Sequence, residues 1–524
     1  MLDSNYGDDM TPTSEQQAIL NAFESIHNNI KVLALAGTGK TSTLLELVAS
    51  HPEKNFLYLA FNTSIKNEVA SKAKARKITN LKVKTQNSFC LALAKDAGCR
   101  CRDIKGYMSV KDTIARLGLT SDDRFLANPA FQIMRRFMAS ADTEMTLRHV
   151  PKEIEDRFCT QLMRFAKMSG DKLLQAIDKK KKRALEIAQK LFNSFSFSSD
   201  LMLHDMYVKL VQLHYASIDI AEEIVLLDEA QDINPVFSDI ASKINARLIA
   251  VGDSHQAIYQ FRGAQDFLKD MPAEATFTLT QSFRFLPEIA DKANLLLEHM
   301  GDLRIKGFEN VEEENTEAIL CRTNMGCLTE AFQLLDAETP FTIDGGVDNE
   351  GFKMIEDIVS LYNGNIYEIG HPDLKGLKKF SDFEKELEED LLNIEWKTAL
   401  RVIDKIGGYD SALDSLRKLK DSQRNVPANA VVITTMHKSK GKEWNTVTIA
   451  NDAENVFYRS DMDEMGRKVR IPIPFCEAPV TEKNLFYVAV TRAKRNLELG
   501  LCSRLFPTED ANTANTTNDL SVAA

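Results

Sequence analysis

No stretch of the 524-residue chain approaches the ~18 consecutive apolar residues that a membrane-spanning helix requires, which excludes an integral helical membrane protein. The first ten residues are acidic and polar and have none of the basic and apolar character of a signal peptide. Eight cysteines stand at 90, 99, 101, 159, 321, 327, 476 and 502, and none forms a CxxC pair. That spacing argues against a zinc site and for reduced thiols in a cytosolic compartment. A basic excess is also missing. The net charge of −11 counts weakly against nucleic acid as a partner, although a protein holding a few nucleotides in a cleft needs only a local basic surface. What remains, 44% hydrophobic and 27% charged residues, is ordinary for a folded chain long enough for two to four domains.

Short apolar runs, often β-branched, recur at 31–36, 55–61, 223–228, 247–253, 276–280, 318–322, 430–435 and 447–451. Helical patterns separate them, the signature of parallel strands in α/β domains. The strand pattern lapses at about 91–222 and again, in highly charged sequence, at about 363–428. The expected architecture is therefore two α/β cores with parallel sheets, each carrying a mainly helical insertion. The first core is expected to use residues 1–90 and 203–285 around an insertion at 91–202, and the second 286–362 and 429–506 around a short one at 363–428. The Asn/Thr/Ala-rich tail, 507–524, is expected to be disordered.

Two motifs carry chemistry. In Val32-Leu-Ala-Leu-Ala-Gly-Thr-Gly-Lys-Thr41 a glycine-rich turn follows an apolar strand and precedes a helical run. Backbone N–H groups of Ala36, Gly37, Thr38 and Gly39 and the helix N-terminus would cradle phosphate there. Lys40 would reach the β- and γ-phosphates of ATP, and the Thr41 hydroxyl would ligate Mg²⁺. Ala34 stands where the usual pattern opens with glycine. The second motif, Ile224-Val-Leu-Leu-Asp-Glu-Ala-Gln-Asp232, is a buried-type strand ending in adjacent carboxylates. Asp228 would hold Mg²⁺, and Glu229 would orient or deprotonate the attacking water. A lone Asp-Glu is more often an exposed strand end; the phosphate loop upstream is what favours a catalytic role.

From Asp228-Glu-Ala-Gln-Asp232 onward the chain resembles the UvrD/Rep/PcrA-like superfamily-one DNA helicases. The resemblance rests on Val251-Gly-Asp-Ser-His-Gln-Ala-Ile-Tyr-Gln-Phe-Arg-Gly-Ala264, Gln281-Ser-Phe-Arg284, Thr435-Met-His-Lys-Ser-Lys-Gly-Lys-Glu-Trp444 and Asn484-Leu-Phe-Tyr-Val-Ala-Val-Thr-Arg-Ala-Lys494, in the family's order. The wording is similar to the F-box DNA helicase branch, with only the motor region expected and no F-box. That family also accepts alanine at the Ala34 position. The resemblance implies two RecA-like P-loop motor domains with ATP held between them. It implies adenine reading by Gln16 (with Gln17 the fallback), adenine stacking by Phe283, where the family more often has Tyr, and a ribose contact by Glu443. Arg284 and Arg492 would reach the γ-phosphate, and Gln256 would link its state to the DNA-binding surface.

For the strand itself the matching positions are Phe61, Asn62, Thr85, Ser88 with Phe89, Tyr259, Phe261, Arg262 and His437. The family usually has Trp where Phe261 stands and His where Asn87 stands. Lysines and arginines at 66–84 and 179–183 could track phosphates, although such runs are more often solvated helix faces. The activity implied is an ATP-dependent 3′→5′ single-stranded DNA translocase and helicase acting in replication, recombination or repair. The alternative is a translocase that strips recombinase or other proteins from single strands with little unwinding. Implied partners are single-stranded and tailed duplex DNA, with a recombinase or single-strand-binding protein as a candidate; no membrane is expected. A monomer or weak oligomer, cytoplasmic or nucleoid-associated (nuclear in a eukaryote) and not secreted, completes the expectation.

Overall fold

The computed structural model describes residues 11–506, apart from 107, 109, 121–122, 261–262, 348–349, 372–373, 375–376, 389–393 and 463–467. Two compact units emerge. One comprises Met1–Ala34 with Gly39–Leu279, the other Leu35–Thr38 with Thr280–Ala524. Both are RecA-like α/β domains with parallel sheets and helical insertions. The expected tail, 507–524, lies outside the described residues.

The first unit contains β1 (Ile30–Ala34), β2 (Phe56–Ala60), β3 (Leu81–Thr85), β4 (Asp103–Lys105), β5 (Leu201–Leu203), β6 (Ile224–Leu227), β7 (Arg247–Gly252) and β8 (Ala275–Leu279). Six of them form one sheet in the order β3-β2-β6-β7-β1-β8, every pairing parallel. Side chains alternate across a strand, so a sheet covered on both sides needs apolar residues at every position. In β2, Phe56 and Tyr58 face a core with Val32, Leu45, Val69 and Ile249. Leu57 and Leu59 face the other core, where Phe131, Phe137, Ile187 and Leu191 of the insertion pack against Val225 and Leu227. The insertion therefore shares its core with the sheet and does not build a separate one. β4 and β5 pair in parallel where the chain leaves and re-enters it.

The second unit contains β9 (Glu317–Cys321), β10 (Phe341–Ile343), β11 (Val431–Thr435), β12 (Trp444–Ile449), β13 (Tyr458–Met462), β14 (Lys468–Pro472) and β15 (Ala493–Glu498). Its main sheet, in the order β10-β11-β9-β12-β15, is again all parallel, and β13-β14 is an antiparallel pair. Helices Ile394–Lys405 and Tyr409–Ser422 of the second insertion place Trp396, Ile403 and Leu416 in a core with Met325, Ile355 and Ile433. Periodicity had identified eight strands. It missed β3, β10 and β15, three of the four outer strands of these two sheets, together with β4, β5 and the hairpin. Edge strands are half solvated: in β3 Lys82 and Lys84 interrupt the apolar pattern, and β15 reads Ala-Lys-Arg-Asn-Leu-Glu.

One buried cation sits where the first insertion meets the core. Lys209, on the helix His204–His214, is fully buried and donates to the carbonyl of Ser140 at 3.0 Å and to that of Asp142. Its ammonium lies 4.2 Å from the Phe137 ring centre. Burial pulls its pKa from 10.5 down to about 8, against the charges of Asp142 and Asp239 and with that of Lys243. A lysine whose folded value is depressed binds fewer protons folded than unfolded, so its contribution to stability rises with pH between those two values. The stability difference between wild type and Lys209→Met, from urea unfolding, should be flat below pH 8 and shift in favour of wild type from about 8 to 10.5. A difference that falls over that window would refute this.

Candidate functional site

In the first unit the sequence-derived candidates gather at the carboxyl edge of the six-stranded sheet. Gly39 takes a left-handed backbone (φ 77°) as N-cap of the helix Lys40–Ser50. Without a Cβ it adopts this turn at no steric cost, which leaves the N–H groups of the helix's first turn directed at the loop. Across β7, β6 leads into Asp228, whose buried carboxylate accepts from Thr41 Oγ1 at 3.3 Å and from the Tyr58 hydroxyl. Burial, then the neighbouring Glu229 charge, raises the Asp228 pKa, with Tyr58 and the Lys40 charge opposing. The Thr41 and Asp228 oxygens are hard donors that suit Mg²⁺. Among the described residues no cluster of three or more His, Cys, Asp or Glu could hold a metal, so a cation here would complete its shell with phosphate and water.

Glu229 has φ 52°, a left-handed conformation that is rare for a residue with a side chain. Such strain persists only where surrounding contacts enforce it. Gln231, fully buried, donates its Nε2 to Glu229 Oε2 at 2.5 Å and accepts the Asp253 N–H on Oε1 at 3.0 Å. Asp253, at the end of β7, in turn accepts from Gln256 Nε2 at 2.7 Å. Burial works to raise the Asp253 pKa, but His255, the Lys40 charge and Gln256 hold it below the usual carboxylate range. Gln16 is buried with both amide ends engaged: Oε1 accepts the Thr13 N–H at 2.9 Å and Nε2 donates to Thr43 Oγ1 at 3.0 Å. Gln17 bonds to Asn21 on the exposed face of the same helix.

Of the positions matched to strand binding, Phe61, Asn62, Thr85 and Ser88 lie at the ends of β2 and β3 on the same edge. Phe61 stacks on Tyr259, ring centres 5.8 Å apart and planes 13° apart. Asn62 caps the helix Thr63–Ala75 through Ile65 N–H, and Thr85 and Ser88 cap the helix Gln86–Asp96 reciprocally. Phe89 is a core residue, 3% exposed, which removes it from the strand-binding set. Phe261 and Arg262 lie outside the described residues. The basic run at 179–183 is largely neutralised: Lys181 pairs with Glu155, Lys182 with Asp178, and Arg183 with Asp123 and Glu186. Lys180 lies over the rings of Phe125 and Phe158. Lys72, Arg76 and Lys82 pair with Glu68, Glu46 and Glu222.

In the second unit, Glu443 and Arg492 immediately precede β12 and β15, at the amino edge of the sheet, whereas His437 follows β11 at the carboxyl edge. Glu443 Oε2 receives Arg284 Nε at 2.6 Å, and Oε1 pairs with Lys494 at 3.3 Å. Burial opposes ionisation of Glu443, but these two cations hold its pKa below normal. Arg492, 1% exposed, donates to the carbonyls of Val488 at 2.9 Å and Lys442 at 3.2 Å. Leu35–Thr38 groups with this unit: the Gly37 carbonyl accepts Phe283 N–H at 2.9 Å, and Ala36 N–H donates to the Tyr487 hydroxyl at 3.3 Å. Thr38 is buried and donates to the Leu35 carbonyl. Gly37 has φ 71°, and a Cβ there would lie 2.5 Å from Ser282 Oγ, so no other residue fits. Phe283 is half-buried, its ring tilted against Phe308 at 5.7 Å.

The profile of the UvrD-like helicase C-terminal domain matches residues 147–504, more than half of the chain, and that of the UvrD/REP helicase N-terminal domain matches residues 13–270. The chain belongs to the UvrD-like helicase family. It is 29% identical to F-box DNA helicase protein 1 of Schizosaccharomyces pombe, over 95% of this chain and 58% of that protein. With F-box DNA helicase 1 of Gallus gallus it shares 28% identity over 93% of this chain and 48% of the relative. DNA helicase II of Escherichia coli is 35% identical across 83 residues, 14% of this chain and 12% of its own. The chain thus spans about half the length of the F-box relatives it matches.

Sequence reasoning overlooked several partners in this UvrD-like helicase: Tyr58, Gln231, Asp253 and Lys494. Tyr58 was hidden in an apolar strand, though a tyrosine buried in a two-sided sheet must find a partner for its hydroxyl. Asp253 and Gln231 were visible as polar residues inside buried-type motifs. Removing the Tyr58 hydroxyl leaves the buried Asp228 with one donor fewer. Tyr58→Phe is expected to cost about 1–3 kcal/mol of unfolding free energy, measured by urea titration; a variant as stable as wild type would show that the contact contributes nothing.

Proposed function

We propose that this UvrD-like helicase is an ATP-driven motor that moves 3′→5′ along single-stranded DNA and opens duplexes in replication, recombination or repair. The observation that carries the reading is the carboxyl edge of the six-stranded sheet. There a glycine-capped helix start after β1 and, across β7, the Asp228 carboxylate paired with Thr41 and a conformationally strained Glu229 after β6 meet on one edge. That combination suits phosphoryl transfer to water, in which the protein mainly positions groups and stabilises charge.

Lys40 and the loop N–H groups of Ala36–Gly39 bind the phosphates, and Glu229 holds the attacking water and takes its proton. Thr41 and Asp228 would hold Mg²⁺, which when bound neutralises charge on the phosphate oxygens. Gln16 and Phe283 receive the adenine and Glu443 the ribose. Arg284 and Arg492 supply fixed positive charge to the terminal phosphate. On this reading Arg284 exchanges its bond to Glu443 for one to phosphate, and Gln256 reports the nucleotide state to the strand-binding residues. Phe61, Tyr259 and Phe261 stack on bases, a sequence-tolerant mode that a motor requires, joined by Asn62, Thr85, Ser88, Arg262 and His437.

Glu229→Gln should retain ATP binding and lose at least about 100-fold in turnover stimulated by single-stranded DNA, the scale of a lost general base. Undiminished turnover would overturn the motor. A fluorescent duplex with a 3′ tail should open and one with only a 5′ tail should not; the reverse refutes the polarity. Clearance of a recombinase filament without opening of the tailed duplex would favour the protein-stripping reading.

A further inference from the structure

The loop after β7 carries both Gln256 and Tyr259, and it is fastened at two points to the turn that carries Glu229. At its start, Asp253 N–H donates to Gln231 Oε1 at 3.0 Å; at its end, Gln265 N–H donates to the Ile233 carbonyl at 2.9 Å. The other end of the Gln231 amide donates to Glu229 Oε2 at 2.5 Å. Gln231 is fully buried, and the backbone has been cleared for it: a Cβ on Gly252 would stand 2.2 Å from Gln231 Oε1. A merely structural glutamine fills space. This one spends its donor on a carboxylate and its acceptor on the loop, two groups that must move together if hydrolysis is to be coupled to DNA.

We infer that Gln231 is a positioning residue that sets the orientation of the Glu229 carboxylate according to the position of the 253–259 segment. The inference rests on the proposed motor reading and deepens it. The path runs from Glu229 through the Gln231 amide to Asp253, whose carboxylate holds Gln256 at 2.7 Å, and along the loop to Tyr259, stacked on Phe61. Strand binding at the aromatic pair would thereby reach the hydrolytic carboxylate without contact between DNA and nucleotide.

Two substitutions in the full chain separate the ends of the amide. Gln231→Met removes both hydrogen bonds at similar volume. Gln231→Glu keeps an acceptor for Asp253 N–H but sets a carboxylate against Glu229. Steady-state ATP hydrolysis is measured with and without a dT oligonucleotide, with Glu229→Gln alongside and thermal unfolding as a check on folding. Both variants should lose about 100-fold in DNA-stimulated kcat, the scale of a misplaced reacting group, with KM for ATP nearly unchanged. The ratio of stimulated to unstimulated rates should fall towards one. If Gln231→Met fails to fold, Gln231→Glu carries the comparison. Wild-type kcat and stimulation in a folded Gln231 variant, with Glu229→Gln inactive, overturn this inference and leave the motor reading intact. An active Glu229→Gln overturns the motor reading itself.

Discussion

Because every strand of the six-stranded sheet runs in the same direction, all of its carboxyl ends open onto one edge. Both faces of that sheet are covered by helices, so positions along the strands must be apolar, and chemistry is confined to the residues just past the strand ends. Lys40, Phe61, Asp228 and Asp253 occupy such positions, after β1, β2, β6 and β7, and Thr85 closes β3. A single geometric constraint thus brings residues more than 200 positions apart in sequence to one edge.

Confinement to a buried edge has a cost. Polar groups removed from water must be paired or they destabilise the fold. The site meets this with mutual pairing: Asp228 by Thr41 and Tyr58, Glu229 by Gln231, and Asp253 by Gln256. The second unit follows the same rule at the amino edge of its sheet, where Glu443 draws in Arg284 and Lys494, and the Arg492 guanidinium is held by backbone carbonyls. Each pairing sets the direction of a side chain that the proposed chemistry uses.

With a net charge of −11, the proposed strand-binding role draws on no general basic excess and not on the basic runs. Most cations at 179–183 are taken up by acids or aromatic rings of the same insertion, and Lys72, Arg76 and Lys82 are similarly paired. The stacked pair of Phe61 and Tyr259 is the feature better suited to holding a strand, because base stacking needs no net positive charge. Three neighbouring candidates, Asn62, Thr85 and Ser88, also have a structural duty as helix caps, so substitutions there would mix the two effects.

The amino-acid sequence by itself determined the fold class, the seven inner strands and the edge strand β8, the two insertions and the identity of the edge motifs. The reason is local: two-sided burial writes continuous apolar runs, and phosphate cradles require glycine followed by Lys-Thr. The outer strands β3 and β15 escaped because charges break their apolar pattern, and β10 because three residues are too short to show a period. Tertiary structure alone decided the pairings of Tyr58 with Asp228, Gln231 with Asp253, and Glu443 with Arg284. It also buried Phe89 in the core and tied the basic run to acids. Such pairings join positions 22 to 170 residues apart, and no periodicity records which distant side chain will satisfy a buried polar atom.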